Sequence, residues 1–201
     1  MRASRWWGPS RASWRAGGLF AAGSVCFLLG PLRWFADLVG NSAAGIVLFC
    51  GSLLFTAAAV VQLVQSLRAS RPVMRVWAPV QLVGALLFNV DTLVQLQARL
   101  NAAEEVRLVW TPDALGSACF LVAGLLALAE LRGGRSGAQW SLGVLNLAGS
   151  LAFAGAAIAS YVVLRSGAQL DGWAANALTS LGAASFLTAA VLLMGERPAR
   201  G

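Results

Sequence analysis

Three long stretches of this 201-residue chain, at 38–67, 136–164 and 172–195, contain no charged side chain. Each is long enough to cross a hydrocarbon core of about 30 Å as one α-helix. Inside a bilayer every backbone N–H and C=O needs a partner within the protein, and a helix meets that demand. The stretches therefore predict transmembrane helices and argue against a water-soluble globular domain.

Three shorter apolar stretches add to these, and each carries one charge, namely Arg33, Asp91 or Asp113. Such a charge must lie at the membrane interface or in the interior of the bundle. We expect a basic, Trp-containing arm over 1–16. After it we predict an all-α, polytopic membrane protein with six transmembrane helices, at 17–36, 42–66, 76–98, 113–131, 140–164 and 173–195.

The distribution of arginine predicts how these helices cross the membrane. All 15 basic residues are Arg, and the net charge is +7. In the six-span topology eleven of them fall on one side, and four fall on the other. The positive-inside rule then places both termini in the cytoplasm, with the chain in the inner (plasma) membrane. The excess of arginine over acidic residues is thus explained by membrane topology. We therefore expect no nucleic-acid partner. The four are Arg33, Arg99, Arg107 and Arg165.

One short pattern recurs once in every predicted span: Gly, then Ser or Ala, two further residues, and Phe. On a helix, positions i and i+4 share a face, so each Gly leaves a notch beside a Phe. Small residues let helices approach closely in lipid, where packing drives association. We interpret the pattern as a helix-packing motif, with its members at Gly23 and Phe27, Gly51 and Phe55, Gly84 and Phe88, Gly116 and Phe120, Gly149 and Phe153, and Gly182 and Phe186.

The copies also resemble one another at a distance of three spans, as in GSVCFL from Gly23 and GSACFL from Gly116. This predicts a duplicated three-helix unit, over 17–100 and 101–201. A unit with an odd number of crossings places its second copy upside down. We therefore expect two inverted three-helix repeats related by a pseudo-two-fold axis in the membrane plane.

Asp91 is the one acid well inside a predicted span. An ionisable group at that depth costs a few kcal/mol, so it is a candidate functional residue that should face the bundle interior. Two interpretations remain open: a hydrogen bond to a neighbouring helix or to headgroup water, and a role in permeation or proton coupling. The candidate intramembrane polar site comprises Asp91, Gln81, Asn89, Thr92, Gln95, Gln62 and Asn146.

Thr111, Pro112 and Asp113 resemble the start of a helix, with a hydroxyl cap, a proline at the first position and an acid near the positive end of the dipole. The chain has no His, and its three cysteines lie in apolar runs without metal-ligand spacing. We therefore expect no catalytic residue, no metal site and no cofactor, and we do not expect an enzyme.

The stretches VWTPDALGSACFLVAGLLALAE and GIVLFCGSLLFTAAAVVQL resemble the YrhK-like family of small bacterial membrane proteins. The resemblance is strongest over 41–132. It implies an integral membrane location and no assigned activity. The residues that carry it are Trp110, Pro112, Gly116, Ser117, Phe120 and Glu130.

Of the two functions compatible with these observations, we expect the first and keep the second as the alternative. The repeat of packing residues favours a non-enzymatic packing or assembly module, whose partners would be the lipid bilayer and a second copy or another membrane protein. The polar stripe around Asp91 instead indicates a small transporter or channel. The sequence identifies no small-molecule substrate for either.

Overall fold

In the computed structural model, residues 11–68, 74–97, 100–131 and 137–195 are described, with the backbone alone at 11, 12 and 97. Most of the predicted arm, residues 1–10, lies outside them. The described residues contain helices and no strand, apart from one isolated β-bridge between Val162 and Gln169. The helices are α1 Arg11–Leu29, α2 Arg33–Val39, α3 Asn41–Arg68, α4 Met74–Gln97, α5 Ala102–Glu105, α6 Thr111–Leu131, α7 Gly137–Ala159 and α8 Gly172–Gly195.

Within the described residues, five helices are long and apolar enough to cross a membrane, and a sixth is obtained if α1 and α2 count as one span. These apolar helices indicate a multi-pass membrane protein. The spans predicted at 42–66, 76–98 and 173–195 coincide closely with α3, α4 and α8. The other three differ from the prediction, the first at both ends.

The first span is not the continuous helix expected over 17–36. It begins earlier, at Arg11, and ends at Leu29, after which the axis turns by 91° into α2. Pro31 lies in the break; proline lacks an N–H and disfavours helical geometry in the residue before it. Trp34 and Leu38 on α2 are exposed.

The fourth span does not begin at Thr111 as predicted. The helix starts at Ala102, where Asn101 and Glu104 form a reciprocal capping box. It then continues through one π-helical turn, Val106–Trp110, into α6. The Thr111 hydroxyl caps nothing ahead of it, and instead donates a 2.7 Å hydrogen bond back to the carbonyl of Val106.

The fifth span ends at Ala159, five residues before the predicted end at 164. The residues that follow form a folded connection to α8, in which the Leu170 N–H donates to the carbonyl of Tyr161 at 2.8 Å. Gly167 takes a φ of +68°, which favours glycine. Asp171 accepts a 2.9 Å hydrogen bond from the Ala174 N–H and so caps the start of α8.

The long helices pack in a closed ring in the order α1, α3, α4, α6, α7 and α8, with α8 against α1. Neighbours run antiparallel: near α8, Gly17 of α1 approaches Met194, whereas Leu28 accepts a hydrogen bond from Ser180. Sequential helices are thus adjacent in space, and the first and last helices close the ring.

The motif glycines meet in pairs between antiparallel neighbours. A Cβ added to Gly84 would lie 3.0 Å from the Gly116 carbonyl oxygen, and one added to Gly116 would lie 3.1 Å from that of Gly84. Backbones therefore approach directly at these points, as the notch interpretation requires. The pairs are Gly23 with Gly51, Gly84 with Gly116, and Gly149 with Gly182.

The five-residue motif has the angles that a helix in a six-membered ring needs. Successive residues are about 100° apart around a helix, so Gly lies about 40° to one side of the Phe direction, and the small residue after it about 60° to the other side. A helix in a hexagonal ring has its neighbours on those two sides and the ring centre between them. The small residue is accordingly buried in all six copies, at Ser24, Ser52, Ala85, Ser117, Ser150 and Ala183.

The six motif phenylalanines meet at the centre as two stacked triangles. In one, Phe27, Phe88 and Phe153 have ring centroids 5.7–6.3 Å apart. In the other, Phe55, Phe120 and Phe186 have centroids 5.8–6.2 Å apart. Glycine-paired helices join the triangles through ring contacts of 5.2–5.6 Å. We call these six rings the Phe plug.

The inverted three-helix repeat is not confirmed. Each three-helix unit can be viewed along the ring axis from the end at which its own first helix begins. From that viewpoint the first unit, α1, α3 and α4, runs around the ring in one sense, and the second unit, α6, α7 and α8, runs in the opposite sense. Rotation preserves that sense, so no half-turn superposes the units in the predicted order. The boundary between 17–100 and 101–201 also falls between α4 and α6, which pack directly together. The glycine contacts instead group the helices as three hairpins.

Gly23 and Gly18, both on α1, give a matched test of the glycine notch. At Gly23 an added Cβ would lie 2.6 Å from the Phe55 ring and 2.9 Å from the Gly51 oxygen, whereas at Gly18 the nearest atom is 4.0 Å away. We expect Gly23→Ala to destabilise the protein by about 1–3 kcal/mol through overpacking. Gly18→Ala should be neutral or stabilising by about 0.5–1 kcal/mol, because helical Ala is favoured over Gly.

Thermal unfolding in detergent, followed by the helical circular dichroism signal, measures both changes. Equal effects of the two substitutions would show that Gly23 is not a packing contact.

Candidate functional site

Two cavities lie at opposite ends of the ring, one on each side of the Phe plug. The first, which we call the acidic cavity, has a volume of about 170 Å³ and is formed by the C-terminal part of α4 and the N-terminal parts of α6 and α8, among others. The second, the amide cavity, has a volume of about 200 Å³ and is formed by the C-terminal part of α6 and the N-terminal parts of α4 and α7.

Asp91 lines the acidic cavity and is only 4% exposed. Its Oδ1 accepts a hydrogen bond from Gln95 Nε2, one helical turn along α4. Thr92 and Gln95 line the same cavity. The expectation that Asp91 faces the bundle interior is therefore met in the structure.

Asp113 is the second acid of this cavity, and sequence analysis assigned it only to a helix start. Because the helix actually begins nine residues earlier than expected at 111, Asp113 lies within a helix and points into the ring. It accepts a 3.4 Å hydrogen bond from the hydroxyl of Ser160, which follows α7. Asp91 and Asp113 thus line the same cavity from neighbouring helices.

A positional rule within the motif would have found Asp113. Residues three before each motif Gly and seven after it lie on the Phe side of the helix. Asp113 is three before Gly116, and Asp91 is seven after Gly84. Of the residues three before the other five glycines, Leu48 and Thr179 line the acidic cavity, Gln81 and Asn146 line the amide cavity, and Phe20 lines a smaller cavity that adjoins the amide cavity.

No Arg lines the acidic cavity among the described residues, although half-buried Glu105 does. Buried Asp91 and half-buried Asp113 therefore lack a basic partner in that part of the chain. Nor do any three described acids or cysteines come together in a way that could hold a metal ion. The cavity thus holds acidic side chains that have no basic partner among the described residues.

The acidic cavity communicates with the protein surface. Three of its lining residues, Gln95, Gln169 and Asn176, are exposed and lie at the same end of the ring. Trp110 closes one side, where its indole N–H donates a 2.7 Å hydrogen bond to the Ala157 carbonyl. Its ring also meets Tyr161 edge-on, with centroids 4.9 Å apart.

The other predicted polar residues line the amide cavity. Gln62, Gln81 and Asn146, from three different helices, converge there and on a smaller adjoining cavity of about 90 Å³. Gln62 Oε1 and the indole nitrogen of Trp77 are buried and have no hydrogen-bond partner within the described structure. Buried polar groups are normally satisfied, so these two atoms suit a polar occupant of the cavity.

Asn89 lines neither cavity, and its role is to join helices. Its Nδ2 donates a 2.9 Å hydrogen bond to Thr56 on α3. The hydroxyl of Thr92 on α4 lies 3.1 Å from the hydroxyl of Ser52 on α3. The Thr92 hydroxyl also donates a 2.6 Å hydrogen bond to the Phe88 carbonyl within α4. The predicted polar stripe therefore divides into three parts: one per cavity and one at the α3–α4 contact.

The Phe plug separates the cavities. Phe27, Phe88 and Phe153 line the acidic cavity, while Phe120 and Phe186 line the amide cavity, with Phe55 on the adjoining smaller one. The rings fill the centre and are no more than 8% exposed. Passage along the axis therefore requires the rings to move.

No protein-family model, no curated protein and no solved structure matches this chain.

Phe153→Ala tests whether the plug is the barrier between the cavities. Phe153 contacts Phe27, Phe88 and Phe186, so its removal leaves a void in the middle of the plug. We expect a loss of about 3–5 kcal/mol in stability and a faster proton leak across proteoliposomes that contain the variant.

An internal pH-sensitive dye reports the leak, and size-exclusion chromatography confirms that the variant is folded. Phe35→Ala on α2, outside the plug, is the control. A leak equal to that of the unsubstituted protein in a folded Phe153→Ala sample would mean that another layer blocks the axis.

Proposed function

We propose that this protein is a non-enzymatic transporter or channel that moves a small cation, protons included, along the ring axis, with Asp91 and Asp113 as its charged site. The observation that carries the proposal is the position of Asp91: 4% exposed, without a basic partner in the described structure, and lining a cavity that opens to the surface. Uncompensated carboxylates at depth are costly, and binding a cation lowers that cost.

The arrangement of the two cavities supports the same proposal. Polar groups lie on the axis at both ends of the ring, and a closed apolar plug lies between them. An acidic entrance raises the local concentration of cations by attraction. Movement of the Phe rings would then open one cavity to the other.

The packing or assembly module is the alternative, and its support is weaker than the sequence indicates. Every motif Gly approaches a motif Gly of the same chain, and the motif Phe rings contact one another in the plug. The motif is thus used within the chain and presents no matching surface to a second copy or a membrane-protein partner. The contact with such a partner would have to use the lipid-facing side of the ring.

Kinship and origin are further parts of the proposal. We keep the resemblance to the YrhK-like family as a hypothesis, for which Trp110 and Pro112 remain the most specific residues.

The glycine pairs favour an origin by triplication of one hairpin. Gly23, Gly84 and Gly149 would then be equivalent, with spacings of 61 and 65 residues.

Asp91→Asn is the direct test of transport. The substitution keeps size and removes the charge, so we expect flux through the reconstituted protein to fall at least roughly tenfold, as expected for the loss of an ionisable intramembrane residue on an ion pathway. The measurement is proton and alkali-cation flux into proteoliposomes under an imposed diffusion potential. The control is Asp171→Asn, an exposed acid whose helix-capping role Asn can take over.

The transport proposal fails if Asp91→Asn and the unsubstituted protein carry the same flux, or if neither exceeds empty liposomes. In the latter case a stable oligomer or a co-purified membrane protein on blue-native gels would favour the assembly module.

We also propose that the amide-cavity end faces the cytoplasm, since Arg11, Arg68 and Arg75 lie at the helix ends on that side. Ser166 and Ala138 are exposed residues at opposite ends of the ring. In a cysteine-free background, Ser166→Cys in intact cells should react with a membrane-impermeant maleimide, whereas Ala138→Cys should react only after lysis. The reverse pattern would invert the assigned orientation.

A further inference from the structure

The acidic cavity combines two features that together restrict what it can bind. One is the carboxylate pair, and the other is a wall that also contains aromatic and aliphatic side chains, including Phe27, Phe88 and Phe153. A binding site needs both an unmet charge and a space of suitable size.

The unmet charge is that of Asp91. Its side chain is more than nine-tenths buried, and one of its two carboxylate oxygens accepts a hydrogen bond from Gln95. The second oxygen has no hydrogen-bond partner among the described residues. The neighbouring Asp113 has a single, long bond from Ser160 at 3.4 Å. The carboxylates therefore remain available to a positively charged ligand.

The space suits a small molecule. A cavity of about 150 Å³ holds one benzene, so the acidic cavity, at about 170 Å³, holds a ligand of similar size. No three described acids or cysteines come together in a way that could hold a metal ion. Apolar walls are instead compatible with the methyl groups of an organic cation, to which aromatic faces also add attraction.

We infer that the acidic cavity binds an organic monocation of the amine or quaternary ammonium class, of about five to eight non-hydrogen atoms. The ammonium group lies by Asp91 and Asp113, and the alkyl part contacts the Phe rings at the floor. The ligand enters past Gln95, Gln169 and Asn176. The inference deepens the proposed function by naming the substrate class of the same site.

Binding is tested on the purified full chain in detergent, without any transport. Isothermal titration with tetramethylammonium chloride is compared with sodium chloride at equal ionic strength, and with tert-butanol, a neutral molecule of the same number of non-hydrogen atoms. We expect saturable binding of tetramethylammonium alone. Equal heats from either control, or no saturable heat from tetramethylammonium, overturn the inference.

Two variants locate the site. Asp91→Asn and Asp113→Asn should each weaken tetramethylammonium binding roughly thirtyfold or more, as expected when one partner of a buried charge pair is removed, while Asp171→Asn should bind as tightly as the unsubstituted chain. Circular dichroism confirms that each variant is folded. The comparison with tert-butanol uses the unsubstituted protein, so it tests the inference even if a variant does not fold. Unchanged binding in both folded cavity variants, or tighter Asp91-dependent binding of magnesium chloride, overturns the inference.

The two proposals can fail separately. Binding without flux in proteoliposomes refutes transport and leaves the site in place. Proton flux that depends on Asp91, without any binding of tetramethylammonium, refutes the organic cation and leaves the transport function.

Discussion

The close approach of helix backbones at paired glycines is the contact on which the rest of this structure depends. In lipid there is no hydrophobic force between helices, so they associate through close packing. Gly84 and Gly116 bring two backbones near enough that an added Cβ on either would lie about 3 Å from the opposite carbonyl oxygen. Three such contacts make three hairpins, and the small residue after each glycine packs at the remaining interfaces.

The same motif then determines what occupies the centre. Because Gly and the following small residue face the two neighbours, the Phe three positions further on must face the axis. Six such rings fill it and form the plug. On either side of the plug the side chains that face the axis do not fill it, and a cavity remains at each end. The cavities are thus consequences of the packing pattern, and their chemistry depends on the few residues that line them.

Most of the helices could be predicted from the sequence, but not their arrangement. Uncharged runs located α3, α4 and α8 closely, since hydrocarbon thickness sets helix length. The turn after Leu29 and the early start at Ala102 were missed, because a span was assumed to be one straight helix. The inverted repeat was inferred from similarity between copies, but six similar helices admit several symmetries. Only the order around the ring distinguishes them. Asp113 was not predicted as a site residue because a helix start was assumed at Thr111, so Asp113 was assigned to the helix end and not to the interior of the ring.

The positions seven after each motif glycine show why packing alone does not explain Asp91. The other five are Gly or Ala: Gly30, Ala58, Ala123, Ala156 and Ala189. A small residue is what a tight ring accommodates there, and an Ala at position 91 would satisfy the packing without burying a charge. A carboxylate at that position costs free energy of insertion. Its Gln95 hydrogen bond lies within α4 and joins no other helix, so it adds nothing to assembly. A residue that breaks the local packing pattern without a structural gain is usually functional. Asp91 is such a residue, and it lies in the wall of an open cavity.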